Sequence, residues 1–229
     1  MEIANIFADK VEDKNKLFVV KGLKLEGLTV AVNETADFTA FNVRIENSQY
    51  VFDVQTPTEI IKDLQFGLPG KHNLTNALMA LAMAKTYGSP TEAIANALMT
   101  FKGIKRRFSY QIKTDNLVYI DDYAHHPTEI NAVHQAVREL YPNEKVLAIF
   151  QPHLFSRTRD FADDFAKSLS AFDEVLLLDI YPARELPMEG ITSDWLLDKM
   201  TNDDRNVVSK TDLVPSILKS NCKVIVTIG

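Results

Sequence analysis

The sequence predicts an α/β protein. Its C-terminal part is expected to be a Rossmann-like, doubly wound and mostly parallel sheet, preceded by a β-rich and helical region. From Arg107 onward, strand-like runs alternate with helical stretches, and repeated βα units imply parallel strands with right-handed crossovers. The strand-like runs are short and apolar with little alternation, as a sheet covered on both faces requires. Before them, the first third of the chain is rich in β-branched and aromatic residues, which favour strands.

The first third predicts a small meander. Residues 28–33, 37–45 and 49–54 read as strands, and breaks rich in Asn and Glu separate them. The tract 56–69 has no clear period, and a Pro-Gly pair at 69–70 closes it as a turn.

Two helices follow the meander. Residues 73–87 are rich in Ala, Leu and Met and are apolar nearly all round, which predicts a buried helix that ends at Gly88. Ser89 and Pro90 then predict the N-cap and first residue of a second helix that runs to about Phe101.

The remaining chain alternates regularly, and we place a domain boundary near Lys105, between residues 1–105 and 106–229. The predicted strands are 107–113, 117–121, 145–150, 174–179 and 223–228. The predicted helices are 127–140, 158–170, 192–200 and 211–219.

The composition excludes several classes of protein. The 229 residues are 46% hydrophobic and 24% charged, as in an ordinary globular protein. A net charge of −6 argues against bulk electrostatic binding to nucleic acid or an anionic membrane. No apolar run nears the roughly 18–20 residues that cross a bilayer. The single cysteine, Cys222, excludes an internal disulfide framework and suits a reducing cytoplasm.

Candidate functional residues cluster after the predicted parallel strands, where ligands bind in open α/β sheets. Residues 122–129 follow one strand, 151–160 the next and 180–185 a third, and together they bring histidines, arginines and aspartates to one edge. Such cationic side chains at strand ends predict a site for an anionic substrate.

Each of these segments also has a plainer interpretation. The Asp121-Asp122 pair could only cap a turn. Adjacent His125 and His126 could be a zinc pair, although adjacent side chains diverge and helical zinc pairs use i,i+4 spacing. His72, Asn73 and Asn76 start a helix, which attracts anions, and an amide suits an adenine edge. Asn73 could equally be a simple N-cap.

Taken together, five ordered segments resemble a known family. The strings GKHNLTNALMALAMA, GIKRRF, IDDYAHHPTEI, FQPHLFSRTRDF and DIYPARELP are similar to those of the ATP-dependent Mur ligases of peptidoglycan synthesis. The resemblance is close over roughly residues 60–229 and only general before them.

The resemblance implies a three-domain enzyme of which this chain holds only part. A UDP-sugar-binding domain and the phosphate loop of the type G-x-x-G-K-[ST] are absent from the sequence, and both of its ends are expected to be cut. Residues 1–105 would be a partial central ATPase domain, and residues 106–229 a Rossmann-like C-terminal domain.

The implied reaction is ATP-dependent ligation through an acyl phosphate, with ATP, L-alanine and UDP-N-acetylmuramate as substrates and Mg²⁺ as cofactor. The substrate carboxylate attacks the γ-phosphoryl group, and the amine of alanine then displaces phosphate. Charge neutralisation and positioning would perform most of the catalysis.

Site residues follow from the match to the family motifs. The ATP-binding residues would be His72, Asn73, Asn76, Arg107, Asp122 and Tyr123. His72 would also lie near Mg²⁺. His125 and His126 would line the face beside the reacting carboxylate, and His153 and Arg157 would orient the alanine carboxylate and the acyl phosphate.

The sequence departs from the family pattern at two positions and leaves two rivals. Family members carry an arginine where this chain has Leu154, and a glycine where it has Arg184. One rival is a murein-peptide recycling ligase that attaches a tripeptide to the same sugar nucleotide. The other is a nucleotide-binding module without catalysis.

Overall fold

A computed structural model describes residues 2–47 and 49–229. The chain divides into two compact units, Met1–Lys102 and Gly103–Gly229. Each unit has its own sheet and its own buried apolar cluster. Within the described residues, no helix has the length and apolar character needed to cross a bilayer.

The first unit is a five-stranded sheet covered by helices. Its core joins the inner faces of the strands to Leu74, Leu78 and Leu81 of the second helix. The helices are α1 (Glu2–Asp9), α2 (Lys71–Thr86) and α3 (Thr91–Thr100), with a short 3₁₀ turn at Lys14–Lys16. The strands, in spatial order, are β1 (Phe18–Val20), β2 (Leu28–Val32), β3 (Phe38–Glu46), β4 (Gln49–Gln55) and β5 (Ile60–Phe66).

The predicted meander is only half right. Strands β3, β4 and β5 are antiparallel neighbours, but β1, β2 and β3 run parallel to one another. The carboxylate of Asp37 accepts hydrogen bonds from the backbone N–H and the hydroxyl of Thr29, at 2.7 and 2.6 Å. These bonds hold the start of β3 beside the start of β2, so the connection folds back instead of forming a hairpin.

The two helices of this unit differ from their predictions in detail. Helix α2 buries one face, not its whole circumference, and Met83 is 46% exposed. The N-cap of α2 is Gly70, so Asn73 is not the cap. The N-cap of α3 is Pro90, not Ser89, while Gly88 follows α2 with a positive φ as predicted.

The second unit is a six-stranded sheet in the order β10-β9-β8-β11-β7-β6. Only β6 is antiparallel to its neighbour, which confirms the mostly parallel, doubly wound fold. The strands are β6 (Ser109–Lys113), β7 (Val118–Asp122), β8 (Val146–Phe150), β9 (Glu174–Leu177), β10 (Asp204–Val207) and β11 (Val224–Ile228). The helices are α4 (Pro127–Leu140), α5 (Phe155–Asp160), α6 (Ala162–Leu169), α7 (Ser193–Leu197) and α8 (Leu213–Lys219).

Helices cover both faces of this sheet. One face packs on α4, α6 and α7 through residues such as Ile130, Phe165 and Leu196. The other face packs on α8, where Leu213 and Ile217 contact a cluster that includes Leu147 and Leu176. Strands such as β8 are therefore buried on both sides, which explains their unbroken apolar sequence.

Two features of this unit were not predicted, a helix break and an edge strand. The expected helix 158–170 is broken at Phe161, which separates α5 from α6. The ring of Phe161 lies 4.9 Å from the ring of His126. Strand β10 lies at the edge of the sheet, and its polar sequence carries no strand signal.

Candidate active site

The register of three parallel strands builds one edge for the site. Asp122 at the end of β7 pairs with Ile228 of β11, which pairs with Phe150 at the end of β8. The loops after β7 and β8 therefore leave the sheet at the same level on either side of β11. This placement is the carboxyl edge at which open α/β sheets bind ligands.

Asp122 braces the first of these loops. Its side chain is buried, and its two carboxylate oxygens accept hydrogen bonds from the backbone N–H groups of Phe108 and Ala124, at 2.7 and 2.8 Å. Phe108 is buried and has a φ of +49°. Its N–H cannot reach water and therefore needs an acceptor inside the protein, which Asp122 supplies. Asp122 thus has a structural role, and its expected contact with ribose hydroxyls stays a prediction.

His125, Arg107 and Glu129 form one charged group beside that loop. Glu129 accepts a hydrogen bond from the backbone N–H of His125 at 3.0 Å, and its carboxylate lies 3.8 Å from the guanidinium of Arg107. Burial pushes the pKa of Glu129 upward, but the His125 N–H and the charges of His125 and Arg107 lower it overall. Glu129 is therefore ionised at neutral pH.

The ring orientations of His125 and His126 follow from their hydrogen bonds. Nδ1 of His125 lies 2.9 Å from the carbonyl oxygen of Tyr123, which can only accept, so Nδ1 carries the proton. Nδ1 of His126 accepts from the N–H of Thr128 at 3.3 Å, and His126 is the N-cap of α4. His126 thus stabilises the helix start, and its catalytic role stays a prediction.

Tyr123 is an exposed platform at the same edge. The guanidinium carbon of Arg106 lies 4.7 Å from the centre of its ring, and the ring of His125 lies 5.0 Å away on an edge-to-face contact. Tyr123 is 46% exposed as a residue, which leaves part of its surface accessible to a ligand that stacks.

His153 follows β8 and is fixed by the loop that follows β9. The two segments form a parallel bridge between His153 and Tyr181, whose rings stack with centres 5.4 Å apart. Burial and the charges of Arg157 and His125 lower the pKa of His153, while Glu185 partly opposes them. His153 is therefore largely neutral at pH 7, and the structure brings His125, His153 and Arg157 within electrostatic reach of one another.

Arg157 lies on α5 and is held by backbone geometry. Leu154, the N-cap of α5, has a φ of +71°, and its N–H donates to the carbonyl of Tyr181 at 2.9 Å. Thr158 is fully buried and donates to the carbonyl of Leu154 at 2.8 Å. Among the described residues, no side chain forms an ion pair or hydrogen bond with the half-buried guanidinium of Arg157, which leaves it available to an anion.

His72, Asn73 and Asn76 belong to the first unit, so the structure groups them separately from the residues above. The three lie in the first turns of α2, where His72 and Asn76 are exposed. The amide of Asn73 donates to the carbonyl of Pro69 at 2.7 Å, which leaves its oxygen as the free end of the amide.

The described residues do not form a magnesium site by themselves. They contain no group of three or more His, Cys, Asp or Glu side chains that could hold a metal ion. His72 offers a nitrogen, whereas Mg²⁺ prefers oxygen ligands and commonly takes them from substrate phosphates and water.

Two site residues carry interactions that the sequence interpretation did not assign. Glu129 is the third residue of α4 and accepts from the backbone N–H of His125 before the helix, as a capping-box glutamate does, although the N-cap here is His126 and not Ser or Thr. Glu185 accepts from the backbone N–H of Ser156 at 2.9 Å and from its hydroxyl, across 29 residues of chain. No local signal predicts that second contact.

Comparisons with known proteins agree with this architecture. The family model for the Mur ligase middle domain matches residues 2–84. The family model described as "Mur ligase, glutamate ligase domain" matches residues 106–223, more than half of the chain.

Curated relatives and a solved structure extend the match. The chain is 73% identical to the UDP-N-acetylmuramate–L-alanine ligase of Flavobacterium psychrophilum and 74% identical to that of Flavobacterium johnsoniae, in each case over 97% of the chain and 50% of the relative. The crystal structure of UDP-N-acetylmuramate-alanine ligase from Thermotoga maritima matches with a TM-score of 0.69 and 25% identity, over 88% of this chain and 44% of that one.

The chain thus spans about half the length of the curated relatives that it matches. Three observations point to the same family. They are the family model that covers more than half of the chain, the two near relatives, and the parallel sheet with histidines and arginines at its edge. This chain belongs to the Mur ligase family.

Proposed function

We propose that the protein to which this chain belongs is an ATP-dependent ligase that joins L-alanine to UDP-N-acetylmuramate. The observation that carries the proposal is the 73% and 74% identity, over 97% of the chain, to two ligases named for that reaction. The free guanidinium of Arg157 beside a neutral His153 supports it, because the reaction must hold a carboxylate and a phosphate together.

The chemistry divides into two displacements. The carboxylate of UDP-N-acetylmuramate attacks the γ-phosphorus of ATP, and the bond to ADP breaks. The amine of L-alanine then attacks the carbonyl of the acyl phosphate, loses a proton to solvent, and phosphate leaves as the amide forms. Each step concentrates negative charge, so cationic groups that are already in place lower the barrier.

His153 and Arg157 are proposed to act in the second displacement. A guanidinium binds a carboxylate through two parallel hydrogen bonds, which orients the amine of alanine toward the carbonyl carbon. Because its pKa is lowered, His153 donates a hydrogen bond from a neutral ring without adding a full charge. His125 and His126 line the same edge, after β7.

The remaining residues are proposed to hold ATP. His72, Asn73 and Asn76 would contact the nucleotide from the first unit, and Arg107 and Tyr123 from the second. Asp122 would position the loop that carries Tyr123 in addition to any ribose contact, because both of its oxygens already accept backbone hydrogen bonds. Residues 1–105 would be part of the central ATPase domain and residues 106–229 the C-terminal domain.

Mg²⁺ would neutralise charge on the ATP phosphates when bound, with His72 near it. We also propose a cytoplasmic location, because the single cysteine suits a reducing compartment.

The test is amino-acid-dependent phosphate release by the whole protein, supplied with ATP and UDP-N-acetylmuramate. We expect turnover with L-alanine. Arg157→Ala should lower kcat/KM for L-alanine about tenfold to a hundredfold, since hydrogen bonds to charged groups contribute on the order of 1.5–3 kcal/mol. ATP binding, measured separately, should be unchanged.

Arg159→Ala is the matched control for that variant. Arg159 lies two residues away on α5, but its guanidinium is paired with Asp160 at 2.8 Å. Equal losses in both variants would contradict the role given to Arg157. Turnover with a tripeptide but not with L-alanine would favour the murein-peptide recycling ligase, and ATP binding without any turnover would favour a nucleotide-binding module.

A further inference from the structure

The start of α5 has no cap of its own. Its N-cap residue, Leu154, has no side chain that can accept a hydrogen bond and sits in a left-handed backbone conformation with a φ of +71°. The first N–H groups of the helix would otherwise lack acceptors. This helix carries Arg157, and His153 directly precedes its cap, so its start decides where both side chains point.

A residue from the loop after β9 supplies the missing acceptors. One carboxylate oxygen of Glu185 accepts from the backbone N–H of Ser156 at 2.9 Å, and the other accepts from the hydroxyl of Ser156. The side-chain and backbone hydrogen bonds from Ser156 lower the pKa of Glu185, so the carboxylate is charged at neutral pH. A charged acceptor at a helix start is favoured by both the free N–H groups and the helix dipole.

The same loop also touches His153. The N–H of Tyr181 donates to the carbonyl of Pro152 at 2.8 Å, the carbonyl of Tyr181 accepts from Leu154 at 2.9 Å, and the rings of Tyr181 and His153 stack. The segments after β8 and β9 are therefore tied at two places, by Tyr181 at Pro152 and Leu154 and by Glu185 at Ser156. Between them they hold the short turn from His153 to Arg157.

We propose that Glu185 is a positioning residue, whose carboxylate fixes the start of α5 and thereby holds the side chains of His153 and Arg157 at the edge of the sheet. Glu185 itself need not touch substrate. The consequence for alanine binding rests on the ligase function proposed above, whereas the positioning does not.

The closeness of Glu185 to His153, which the positioning requires, is tested by NMR titration of the histidine ring protons in the full chain without substrates. The charged groups that act on His153 are Arg157, His125 and Glu185. Glu185→Gln removes the one negative charge among them, so the titration midpoint of His153 should move to lower pH. Glu189→Gln removes the same charge from an exposed position in the same loop and should leave that midpoint unchanged. Equal midpoints in the two variants would overturn the proposal.

A second variant keeps the test decisive if Glu185→Gln does not fold. Ser156→Ala removes the hydrogen bond from the Ser156 hydroxyl, which is the largest influence that lowers the pKa of Glu185. The carboxyl group of Glu185 should therefore titrate at higher pH. An unchanged midpoint for Glu185 would mean that the contact does not form, which overturns the proposal.

The functional consequence is measured in the whole protein. Glu185→Gln should raise KM for L-alanine about tenfold, the scale of a lost charge-assisted contact, with KM for ATP unchanged. Equal changes in both KM values would contradict a specific positioning role. A shifted His153 midpoint together with an unaltered protein that shows no ligase activity would overturn the proposed function and leave the positioning intact.

Discussion

At the scale of single residues, four polar side chains near the carboxyl edge of the second sheet fall into two groups. Asp122 and Glu185 accept hydrogen bonds from backbone N–H groups and shape the two loops beyond the sheet. Within the part of the chain that the structure describes, the side chains of Arg157 and His153 form no hydrogen bond or ion pair, and the His153 ring stacks on that of Tyr181. This division, with Asp122 and Glu185 bound to the backbone, fits the anion site proposed for Arg157 and His153.

The bracing role of Asp122 gives a testable expectation. Asp122→Asn keeps the shape but places an NH₂ group against one of two backbone donors and removes the charge. We expect the free energy of unfolding to fall by about 2 kcal/mol, the scale of a lost hydrogen bond to a buried charged group. Urea denaturation measures the loss, and faster amide exchange at Phe108 or Ala124 locates it.

Asp115→Asn is the control, because Asp115 is exposed in the turn between β6 and β7. If both variants unfold at the same urea concentration, the carboxylate of Asp122 does not support the loop.

The sequence identified the segments of the candidate site better than the roles within them. Strand ends followed by His, Arg and Asp predicted where these residues would lie, because parallel strands share a carboxyl edge. The sequence could not show that Asp122 accepts from Phe108 or that Glu185 accepts from Ser156, because both contacts join distant parts of the chain. The positive φ of Leu154 was equally hidden, since leucine does not favour that conformation.

At the scale of elements, strongly periodic segments were predicted well. Helix α4 runs over Pro127–Leu140, as the Pro-initiated apolar pattern indicated, and the buried strands β7, β8 and β11 lie within one residue of their predicted bounds. The errors arise where tertiary contacts override the local pattern. Phe161 lies at the break in a helical sequence and packs against His126. Asp37 bonds Thr29 where β2 and β3 pair in parallel and not as the expected hairpin.

Close backbone packing in the first unit yields a prediction at this scale. A Cβ atom added at Gly27 would lie 2.5 Å from the carbonyl oxygen of Leu17, which itself accepts the N–H of Leu28 at 2.8 Å. Gly27→Ala should therefore force β1 and β2 apart and lower the free energy of unfolding by about 1–3 kcal/mol. Thermal or urea unfolding measures the change.

Gly67→Ala is the matched control, since the nearest atom to its added Cβ would be the Gln49 amide nitrogen, at 3.9 Å. That variant should be neutral or slightly stabilising, because alanine restricts the unfolded chain. Similar destabilisation by both substitutions would show that the contact with Leu17 is not the cause.

At the scale of the whole molecule, the doubly wound second unit follows from the sequence almost completely, and the first unit does not. A parallel sheet with helices on both faces needs continuously apolar strands that alternate regularly with helices, and the sequence displays both. The first sheet mixes parallel and antiparallel pairs through short connections, and no local pattern distinguishes the two. The family, in contrast, was recognisable from five short segments and is confirmed by matches to both parts of the chain.

The last expectation concerns the chain of 229 residues by itself. Ligation through an acyl phosphate requires the γ-phosphate of ATP to be gripped while it is transferred, and the glycine-rich G-x-x-G-K-[ST] loop that performs this task in many nucleotide-binding enzymes is absent from the sequence. We therefore expect the purified chain to release no phosphate above background with ATP, L-alanine and UDP-N-acetylmuramate. The same chain with Arg157→Ala defines that background, and the whole protein at equal concentration is the positive control. Phosphate release by the 229-residue chain that exceeds the Arg157→Ala background would show that its own residues suffice for phosphoryl transfer, and would contradict the expectation that the chain alone is inactive.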